Sequence, residues 1–599
     1  MNTSFSRAYR SLLSLRPKVA PVFAPTLAQR TYSLSHINMA PQRVKVASKS
    51  DVPTGTMKQV VFAGEGDDAV HVLVSNVKGT LHATSAKCTH YGAPLANGAL
   101  SSDGSVICPW HGARFSCKTG DIEDAPALDS LLTFPIEVDG EDVFVTADAE
   151  LLKGKPGVAP GCAGGIEKIK SNEKGTVIVG GGSAAIHLIE SARKEGYLGK
   201  LTVLTAEPYG PIDRPKLSKG LMEDPNAVLW RSKSHLQHKL GVDLQENAVV
   251  TSVDVQSKSV TLENGTKVEY DTLILASGGT PVRLPLPGAE ASNVLTLRGI
   301  KDVAAINAAL GKDGDKDLVV VGSSFIGMEL AIAVASNKKA KSVSVVGMES
   351  VPLERVLGKE VGQGLMKSQQ DKNDIKFYMD SKTESIELGS DGDKKAQAVL
   401  LKDKDGKDVK LPAAVVVLGV GVKPATQYLR ESKGFPELLK DGSVDVDSTL
   451  RVKGVEDVYA LGDIATAPTR SGKDTVRIEH WNVAGAHGRL VGQVLAGKKT
   501  AGQASLQAPP FFWSAMGAQL RYVGSGERPG FDNVHVDGKP EELNFAAYYA
   551  RGDDVVALAT MGRDPLAVVA SELFRVNKFP SFAEIKAGKT VSQQELTKL

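Results

Sequence analysis

Two short apolar runs, each followed by a glycine-rich turn and then a helix-forming stretch, restrict most strongly what this chain can fold into. The first run covers residues 176–179 and ends at Gly180, and the second covers 318–321 and ends at Gly322. From Gly175 onward, similar strand-like runs alternate with helical stretches. This alternation is typical of parallel β-sheets covered by helices. The sequence therefore predicts a multidomain α/β protein that contains two units of the same kind.

The pattern changes along the chain and predicts several domains. At roughly 150 residues per domain, the chain of 599 residues should form about four. Short β-rich runs between Gly, Asp and Pro turns predict a small antiparallel β domain ahead of the α/β region. The expected segments are a basic leader at 1–40, the β domain at 42–152, a Gly/Pro/Lys-rich linker at 153–174, the first α/β domain at 175–298, the second at 299–424, the remainder of the first at 425–507, and a C-terminal α+β domain at 508–599. Treated as a flexible coil, the linker would span about 25 Å.

The leader differs in charge from the rest of the chain. Residues 1–50 hold eight of the 71 Lys and Arg and none of the 69 Asp and Glu. A segment rich in Arg, Ser and Leu and poor in acids is typical of a mitochondrial presequence. The stretch that begins at Arg30 also resembles an arginine-guided cleavage site, whereas a disordered basic tail is the alternative. Translation from Met39 would give a cytoplasmic form.

Composition excludes several classes of protein. Four cysteines in 599 residues exclude a disulfide-stapled secreted scaffold. The net charge of +2 gives no reason to expect nucleic acid as a partner. No apolar run reaches the ~18–20 residues that a membrane-spanning helix needs. We therefore expect a soluble protein with several buried cores.

The most specific motif joins two cysteines and two histidines within the β domain. A C-x-H at Cys88 and His90 is followed, seventeen residues later, by a C-x-x-H at Cys108 and His111. A Rieske [2Fe–2S] centre needs this ligand set, with two thiolates on one iron and two imidazoles on the other. A tetrahedral zinc site can also use two Cys and two His, although this spacing is not usual for zinc. The surrounding stretches CTHYGAPL and CPWHGARF resemble Rieske proteins.

The first glycine-rich turn has the form of a dinucleotide-binding motif. Gly180, Gly182 and Ala185 make up G-x-G-x-x-A at the start of a predicted helix. The first glycine forms the tight turn, the second lets the backbone approach a pyrophosphate, and the small third residue lets the helix pack on the strand. Glu207, after the next predicted strand, is placed to bind an adenosine ribose. A solvated loop acid is the alternative for Glu207.

Three later stretches resemble motifs of two-dinucleotide flavoproteins and narrow the dinucleotide to FAD. They are a strand-and-glycine return at Ala276 and Gly278, a terminal flavin motif at Gly462 and Asp463, and an R-P-x-L-S-K segment from Arg214 to Lys219. The resemblance implies that Asp463 binds the ribityl chain. It also implies that Lys219 stabilises electron density on the reduced flavin. As a lone residue, Lys219 would be a solvated surface charge.

The second glycine-rich turn resembles the pyridine-nucleotide site of the same flavoproteins. Gly322, Ser324 and Gly327 repeat the motif, with serine in place of the middle glycine. The resemblance implies that Glu329, on the first turn of the following helix, faces the nicotinamide. Glu329 could then pair with Lys219 across the flavin, so these two are the candidate catalytic residues.

The choice between NADH and NADPH depends on the next strand. This strand ends near Glu349. An acid at such a strand end accepts a bond from the ribose 2′-hydroxyl of NADH, whereas an Arg favours the 2′-phosphate of NADPH. Glu349 therefore predicts NADH, although it lies about two residues later than the usual position.

The cysteine count decides where electrons can go after the flavin. Disulfide reductases of the same fold use a cysteine pair beside the flavin, but this chain has no cysteine after Cys162.

Nearly the whole chain after residue 42 resembles the apoptosis-inducing-factor-like proteins with an N-terminal Rieske domain, relatives of the ferredoxin reductases. The resemblance implies that Trp481 and Trp513 border the isoalloxazine, whereas plain core aromatics are the alternative.

The sequence therefore predicts an NADH-dependent FAD oxidoreductase that passes electrons to its own Rieske cluster and on to an external acceptor. That acceptor, a protein or a small molecule, is not named by the sequence, and homodimerisation stays open. A redox-gated signalling protein with slow NADH oxidation is the alternative from another class. An oxygenase is disfavoured because no separate His/His/carboxylate iron site is evident in the sequence.

Overall fold

The computed structural model describes residues 41–154, 156–170, 173–389, 394–499, 509–527 and 530–598. The expected presequence at 1–40 lies outside the described residues, as does the beginning of the expected C-terminal domain. Within the described ranges, no helix combines the length and the apolar composition needed to cross a membrane.

Residues 42–147 form a small domain of antiparallel strands, as the alternating runs predict. Two of its sheets pack face to face through buried valines such as Val72 and Val145. The second Cys/His loop joins the strands Ser105–Ile107 and Arg114–Ser116 of a third sheet. The strands in sheet order are Gln42–Ser48, Asp142–Ala147 and Ile136–Asp139; Thr133–Phe134, Thr80–Ser85, Val70–Val77 and Met57–Ala63; and Ala99–Leu100, Ser105–Ile107, Arg114–Ser116 and Ile122–Asp124.

The first α/β domain is a parallel five-stranded sheet with helices on its faces. Its apolar strands are buried on both sides, which explains why they read as continuous apolar runs in the sequence. The last strand follows the second α/β domain in the chain, so the first domain is discontinuous. The sheet order is Val242–Gln245, Leu201–Leu204, Thr176–Val179, Thr272–Leu275 and Val458–Ala460. The helices are Ser183–Lys194, Pro215–Gly220, Pro225–Val228, Lys233–Leu240 and Trp481–Leu495.

Two glycines let the helices Ser183–Lys194 and Trp481–Leu495 pack backbone to backbone. A Cβ atom on Gly488 would lie 2.2 Å from the Ala184 carbonyl oxygen, and one on Gly492 would lie 2.7 Å from that of Leu188. Any larger residue would force the helices apart. This contact fixes Trp481, at the start of the second helix, beside the glycine-rich turn of the first.

The second α/β domain repeats the parallel arrangement. Its order is Val294–Leu295, Val415–Leu418, Asp317–Val321, Ser342–Val346 and Lys376–Tyr378. The helices are Ile300–Leu310, Phe325–Ser336 and Glu354–Asn373, the last with non-helical backbone at Gly358. An antiparallel sheet of Lys382–Leu388, Ala396–Lys402 and Asp408–Pro412 covers one side. The two parallel sheets and the β domain confirm the predicted fold class.

The C-terminal part is a five-stranded antiparallel sheet with helices. Its sheet order is Phe511–Ala515, Gln519–Gly524, Asp554–Met561, Asn544–Arg551 and Asn533–Lys539, and its helices are Leu566–Arg575, Phe582–Lys586 and Gln593–Thr597. Smaller sheets extend the first α/β domain. They are Val250–Asp254 with Ser259–Leu262 and Lys267–Glu269, Gly279–Pro281 with Val422–Pro424, and Val444–Asp445 with Ala465–Pro468 and Thr475–Val476.

The segment between the β domain and the first α/β domain is not the free coil that its composition suggests. After the short helix Ala149–Lys153, the strand Gly157–Val158 pairs with Ser130–Leu131 of the β domain. Further on, the Ala163 N–H donates to the Arg193 carbonyl at 2.9 Å. The expectation of a flexible 25 Å tether is therefore wrong for the described residues, because hydrogen bonds hold this segment to both domains.

Candidate functional site

Two loops of the β domain hold the four candidate metal ligands in the same backbone arrangement. The Cys88 N–H donates to the Ala93 carbonyl (2.8 Å), and the Gly92 N–H donates back to the Cys88 carbonyl (2.9 Å). In the second loop, the Cys108 N–H donates to the Ala113 carbonyl (2.9 Å), and the Gly112 N–H donates back to the Cys108 carbonyl (3.1 Å). Gly92 has φ 78° and Gly112 has φ 73°, a backbone conformation that glycine adopts at little cost. The two loops are therefore equivalent turns.

The four side chains fall into a sulfur pair and a nitrogen pair. Cys88 and Cys108 are each 1% exposed, and their sulfurs are in hydrogen-bonding contact. Each sulfur also accepts N–H bonds from the residues two and three positions later, and these bonds oppose the rise in pKa that burial causes. His90 Nδ1 and His111 Nδ1 lie 3.2 Å apart with ring planes at 89°. Two sulfurs together and two ring nitrogens together are the donor set of a Rieske cluster.

A cavity of ≈ 690 Å³ lies at the carboxyl ends of the first parallel sheet. Gly180 has φ 110°, and a Cβ atom there would lie 2.2 Å from the Ala276 carbonyl oxygen, so only glycine fits this turn. Ala185 does not reach the cavity and is buried in the helix behind it. The predicted residues that line the cavity are Gly180, Gly182, Glu207, Arg214, Lys219, Ala276, Gly278, Glu329, Gly462, Asp463, Trp481 and Trp513.

Glu207 and Arg214 form one polar wall of this cavity. Arg214 donates to both carboxylate oxygens of Glu207, at 3.1 and 2.7 Å. Burial alone would raise the pKa of Glu207, but Arg214 outweighs burial and the pKa is lowered. Glu207 is therefore paired with Arg214 on the cavity wall, and its role as a ribose-binding acid stays a prediction.

Asp463 and Gly278 meet at another part of the wall. Arg298 donates to the Asp463 carboxylate at 3.0 Å. A Cβ atom on Gly278 would lie 2.9 Å from the same guanidinium. Arg298 thus lies against both Gly278 of the strand-and-glycine return and Asp463 of the terminal glycine motif. These two motifs are almost two hundred residues apart in the sequence. A partly buried carboxylate and a guanidinium together suit a ligand that carries both hydroxyl and phosphate groups.

Lys219 and Glu329 form an ion pair at the end of the cavity. Lys219 Nζ lies 2.9 Å from Glu329 Oε1, and Glu329 is almost fully buried. Ser218 and Ser514 each donate to this carboxylate at 2.5 Å. A carboxylate held by three donors cannot rotate freely. Glu329 therefore fixes the position of the Lys219 ammonium, which also lies 5.1 Å from the centre of the Trp513 ring.

The second glycine-rich turn is equally tight. A Cβ atom on Gly322 would lie 2.3 Å from the Gly419 carbonyl oxygen, and one on Gly327 would lie 2.3 Å from that of Gly322. Ser324, the substitute for the middle glycine, donates its hydroxyl to the Gly419 carbonyl at 3.0 Å. Serine is therefore accommodated because its side chain bonds the neighbouring strand end.

A separate cavity of ≈ 560 Å³ lies beside the carboxyl end of the strand Ser342–Val346. Glu349 lines it and pairs with Arg355 at 2.7 Å. The Arg355 side chain is largely exposed. The cavity thus offers a carboxylate with an exposed guanidinium next to it.

Comparisons with known proteins match this arrangement along most of the chain. The family described as pyridine nucleotide-disulphide oxidoreductase matches residues 174–488, and the Rieske [2Fe-2S] domain matches residues 42–135. The chain belongs to the pyridine nucleotide-disulphide oxidoreductase family. It is a flavoprotein oxidoreductase that uses FAD and NAD(P)H, and its β domain is a Rieske domain for a [2Fe–2S] cluster.

Individual relatives agree with the family. The oxidoreductase is 38% identical to human "Apoptosis-inducing factor 3" over 532 residues, which cover 88% of this chain and 83% of the relative. The putidaredoxin reductase–putidaredoxin complex has a TM-score of 0.62 at 25% identity, covering 71% of this chain and 98% of that one. A ferredoxin reductase from Rhodopseudomonas palustris has a TM-score of 0.63 at 26% identity, covering 70% and 99%.

The residues of both cofactor sites fit the groups that the family implies. The sulfur and nitrogen pairs match the cluster, and the glycine turns and the paired acids match FAD. Trp481 Nε1 and Trp513 Nε1 are buried without a hydrogen-bond partner among the described residues, and both side chains line the flavin cavity. Their position beside the isoalloxazine stays a prediction.

The Rieske domain of the oxidoreductase is docked against the rest of the chain. Arg114 donates to Glu572 at 2.8 Å, and both side chains are buried, at 7% and 1% exposure. Arg521 donates to the Pro109 carbonyl at 2.7 Å. The Asn482 amide donates to the His111 carbonyl at 2.9 Å. These bonds hold the second ligand loop against the FAD and C-terminal domains.

Aromatic contacts connect the first ligand loop with the flavin cavity. The His90 ring stacks on Trp230, with ring centroids 5.2 Å apart, and Trp230 stacks on Trp481 at 6.2 Å. Tyr91 stacks on His90 and donates its hydroxyl to the buried Asp213. The His111 ring meets Trp513 edge to face at 5.1 Å. Both histidines therefore face the flavin side of the molecule.

Sequence reasoning missed three residues that shape these sites. Arg298 and Trp230 lie outside every motif, and Arg231 bridges Asp129 of the Rieske domain and Glu190 of the FAD domain, at 2.5 and 2.6 Å. Trp230 is one of only four tryptophans in the chain, and this rarity was a usable signal. Nothing in the local sequence marks Arg298 or Arg231.

Proposed function

We propose that this oxidoreductase takes hydride from NADH and passes the electrons, through its FAD, to its own Rieske cluster and from there to an external acceptor. The observation that carries the proposal is the orientation of the ligand loops. His90 contacts Trp230 and His111 contacts Trp513, and Trp513 together with Trp481 lines the flavin cavity. The cluster ligands and the flavin cavity thus share the same aromatic walls.

The electron order follows from the chemistry of the groups that the residues are built to hold. NADH gives two electrons as hydride, and a [2Fe–2S] cluster takes one at a time. Bound FAD can accept a hydride and release single electrons. No cysteine follows Cys162 in the chain, so no internal disulfide can compete for those electrons.

Lys219 and Glu329 are the residues that we propose assist hydride transfer. Burial and Lys219 lower the pKa of His480, also on the cavity wall, to about 3, so His480 is neutral near pH 7. Lys219 is therefore the cation at this end of the cavity and stabilises negative charge on a reduced ring. Glu329 holds it in place through their 2.9 Å contact.

NADH is favoured over NADPH because Glu349 lies in the second cavity. A carboxylate accepts a bond from a ribose 2′-hydroxyl and repels a 2′-phosphate. Arg355, paired with Glu349 at 2.7 Å, is the group that would moderate this preference. In Glu349→Gln, the kcat/KM for NADH divided by the kcat/KM for NADPH should fall. An unchanged ratio would contradict this assignment.

The test of the electron route is an anaerobic NADH titration with absorbance and low-temperature EPR. His111→Ala should abolish the Rieske EPR signal and leave flavin reduction by NADH intact. His238→Ala, at an exposed helix position, is the matched control and should change neither. Loss of flavin reduction in His111→Ala alone would contradict the separation of the two sites.

The alternative of a redox-gated signalling protein makes a different kinetic prediction. An electron-transfer enzyme should reduce its cluster and an artificial acceptor rapidly, turnover after turnover. A switch should be reduced slowly and stop at a long-lived charge-transfer complex. Multiple rapid turnovers with ferricyanide would support the enzyme.

We further propose that the chain enters mitochondria, on the basis of the basic leader at 1–40. Fusion of these residues to a fluorescent protein tests the proposal. A diffuse cytoplasmic signal would contradict it.

A further inference from the structure

Two sets of ring contacts join the candidate cluster ligands to the flavin cavity, and they differ in geometry. His111 meets Trp513 edge to face, with ring planes 66° apart. His90, Trp230 and Trp481 instead form a ring stack, with successive ring planes only 20° and 29° apart. Aromatic pairs take up both arrangements, but only in the stacked one do the π-electron faces meet. The ring stack therefore gives the better electronic contact between the two cofactor sites.

Trp230 is the middle member of the ring stack and belongs to neither cofactor site. It follows the short helix Pro225–Val228 of the FAD domain and does not line the flavin cavity. Its backbone N–H donates to the Pro211 carbonyl at 2.9 Å. Its ring nitrogen, Nε1, is buried without a hydrogen-bond partner among the described residues. No hydrogen bond within the described part of the chain therefore sets the direction of the ring, which depends on how the neighbouring residues are held.

Arg231, the next residue, binds both domains at once. Its Nε lies 2.6 Å from Glu190 of the FAD domain, and a second guanidinium nitrogen lies 2.5 Å from Asp129 of the Rieske domain. The third guanidinium nitrogen donates to the Trp230 carbonyl at 3.3 Å. The Arg231 side chain is 11% exposed, and charge-assisted bonds of this kind are stronger than neutral ones. Arg231 therefore fixes the backbone at Trp230 relative to both domains.

The Glu190 side of this contact leads to Trp481. Glu190 lies on the helix Ser183–Lys194, which packs backbone to backbone on the helix that begins at Trp481. Its second carboxylate oxygen, Oε2, is buried without a hydrogen-bond partner among the described residues. Burial raises the pKa of Glu190 to about 7, although Arg231 opposes the rise, so the ion pair is fully charged only above that pH. A shift of Arg231 would then leave a buried carboxylate unpaired.

The Asp129 side of the contact leads to His90. The Asp129 carbonyl accepts the Thr89 hydroxyl at 2.7 Å. Thr89 precedes His90 in the first ligand loop. Asp129 thus binds Arg231 through its side chain and holds the ligand loop through its backbone. Arg231 is therefore linked to both ends of the ring stack, and its loss would let the two outer rings shift relative to the middle one.

We propose that Arg231 is a positioning residue for electron transfer from the flavin to the cluster, because it holds Trp230 in stacked contact with His90. This role rests on the proposed electron route and adds the residue that sets the contact between the two cofactors. In each transfer, one electron leaves the reduced flavin and converts one ferric iron of the cluster to ferrous iron. Trp230 ends each transfer unchanged, and no proton or leaving group is needed.

The test is a double-mutant cycle on the rate of cluster reduction after flavin reduction, measured in the holoprotein at pH 8 by rapid freezing and EPR. Arg231→Met and Trp230→Leu should each slow this step about tenfold, or ~1.4 kcal/mol in the barrier. Because Arg231 acts through Trp230, the double variant should be no slower than Trp230→Leu alone. Flavin reduction by NADH should keep its wild-type rate. Wild-type cluster reduction in Arg231→Met, or effects that multiply in the double variant, would overturn the inference.

Lys194→Met is the matched control, because Lys194 lies on the same helix as Glu190 and pairs across the same domain boundary with Asp121, at 2.5 Å. This variant should reduce its cluster at the wild-type rate, and equal slowing in Lys194→Met and Arg231→Met would overturn the inference. Arg231→Met leaves Glu190 buried without its partner, which can prevent folding. Arg231→Met combined with Glu190→Leu removes both groups and should show the same slowing.

A second readout depends neither on NADH nor on turnover. In chemically half-reduced protein, the magnetic dipolar interaction between the flavin radical and the reduced cluster reports their separation by pulsed EPR. The separation should be sharply defined in the wild type and in Lys194→Met, and more widely distributed in Arg231→Met. Identical distributions in all three proteins would overturn the inference, whereas a wild-type cluster that NADH fails to reduce would count against the electron route instead.

Discussion

The buried ion pair between Arg114 and Glu572 is the contact whose removal should most clearly separate the two redox modules. The two groups lie 2.8 Å apart at 7% and 1% exposure. Burial alone would raise the pKa of Glu572, but Arg575 and Arg114 lower it, so the carboxylate is charged near pH 7. Removing one partner of a buried pair costs about 3–5 kcal/mol.

The two single substitutions should lower the unfolding free energy by different amounts. Arg114→Met leaves Glu572 paired with Arg575 at 2.5 Å, so its cost should lie near the lower limit, about 3 kcal/mol. Glu572→Met leaves the Arg114 guanidinium buried without its ion-pair partner, which puts the cost near 5 kcal/mol, the upper limit of about 3–5 kcal/mol. In the double variant, two apolar side chains face each other. Its loss of unfolding free energy should therefore be smaller than the sum of the losses in the two single variants.

The assay is urea unfolding together with the rate of cluster reduction after flavin reduction. Arg114→Met should lower both the unfolding free energy and the transfer rate, because this pair holds the second ligand loop in place. Lys45→Met is the control, since the Lys45–Asp142 pair is exposed and worth about 1 kcal/mol or less. If Arg114→Met behaves like Lys45→Met in both measurements, the pair does not hold the modules together.

Three further results follow from the described contacts. Glu329→Gln releases Lys219, so flavin reduction by NADH should slow about tenfold, or ~1.4 kcal/mol in the barrier; an unchanged stopped-flow rate would count against the pair. Asp463→Leu removes a partly buried acceptor from the flavin cavity, and the FAD content of the purified protein should fall; full occupancy would contradict the site. Burial lowers the pKa of His487 from 6.5 to about 4, and its Nδ1 accepts from the Gly462 N–H at 3.1 Å. The stability that neutral His487 contributes is thus complete above pH 6.5 and is lost as the pH falls toward about 4. In His487→Gln, the unfolding free energy should fall less steeply as the pH decreases. The slope should change by at most the value for one proton, ~1.36 kcal/mol per pH unit, and a pH profile identical to that of the wild type would refute the assignment.

Local sequence was sufficient for the parts of the fold that depend on neighbours along the chain. Each Cys/His loop closes through hydrogen bonds within five residues, as from Cys88 to Ala93. Each glycine turn follows a buried strand and begins a helix, as at Gly180. These features depend on backbone conformation and strand burial, so motifs and apolar runs predict them well.

Contacts between distant segments could not be predicted in this way. Arg298 meets Asp463 from 165 residues away, and Arg231 meets Asp129 from 102 residues away. The linker composition suggested a free coil, but the strand Gly157–Val158 pairs with the Rieske domain. Such contacts depend on how whole domains pack, and a Gly/Pro-rich composition does not exclude pairing when an edge strand is available.

The most direct test of electron transfer within one chain is the protein-concentration dependence of cluster reduction. Anaerobic protein is mixed with NADH, frozen at intervals, and analysed by EPR for the reduced cluster. Because the Rieske domain is docked beside the flavin cavity, the first-order rate of cluster reduction after flavin reduction should stay constant over a hundredfold range of protein concentration. A rate that rises in proportion to protein concentration, or a reduced flavin beside a cluster that stays oxidised, would contradict the account.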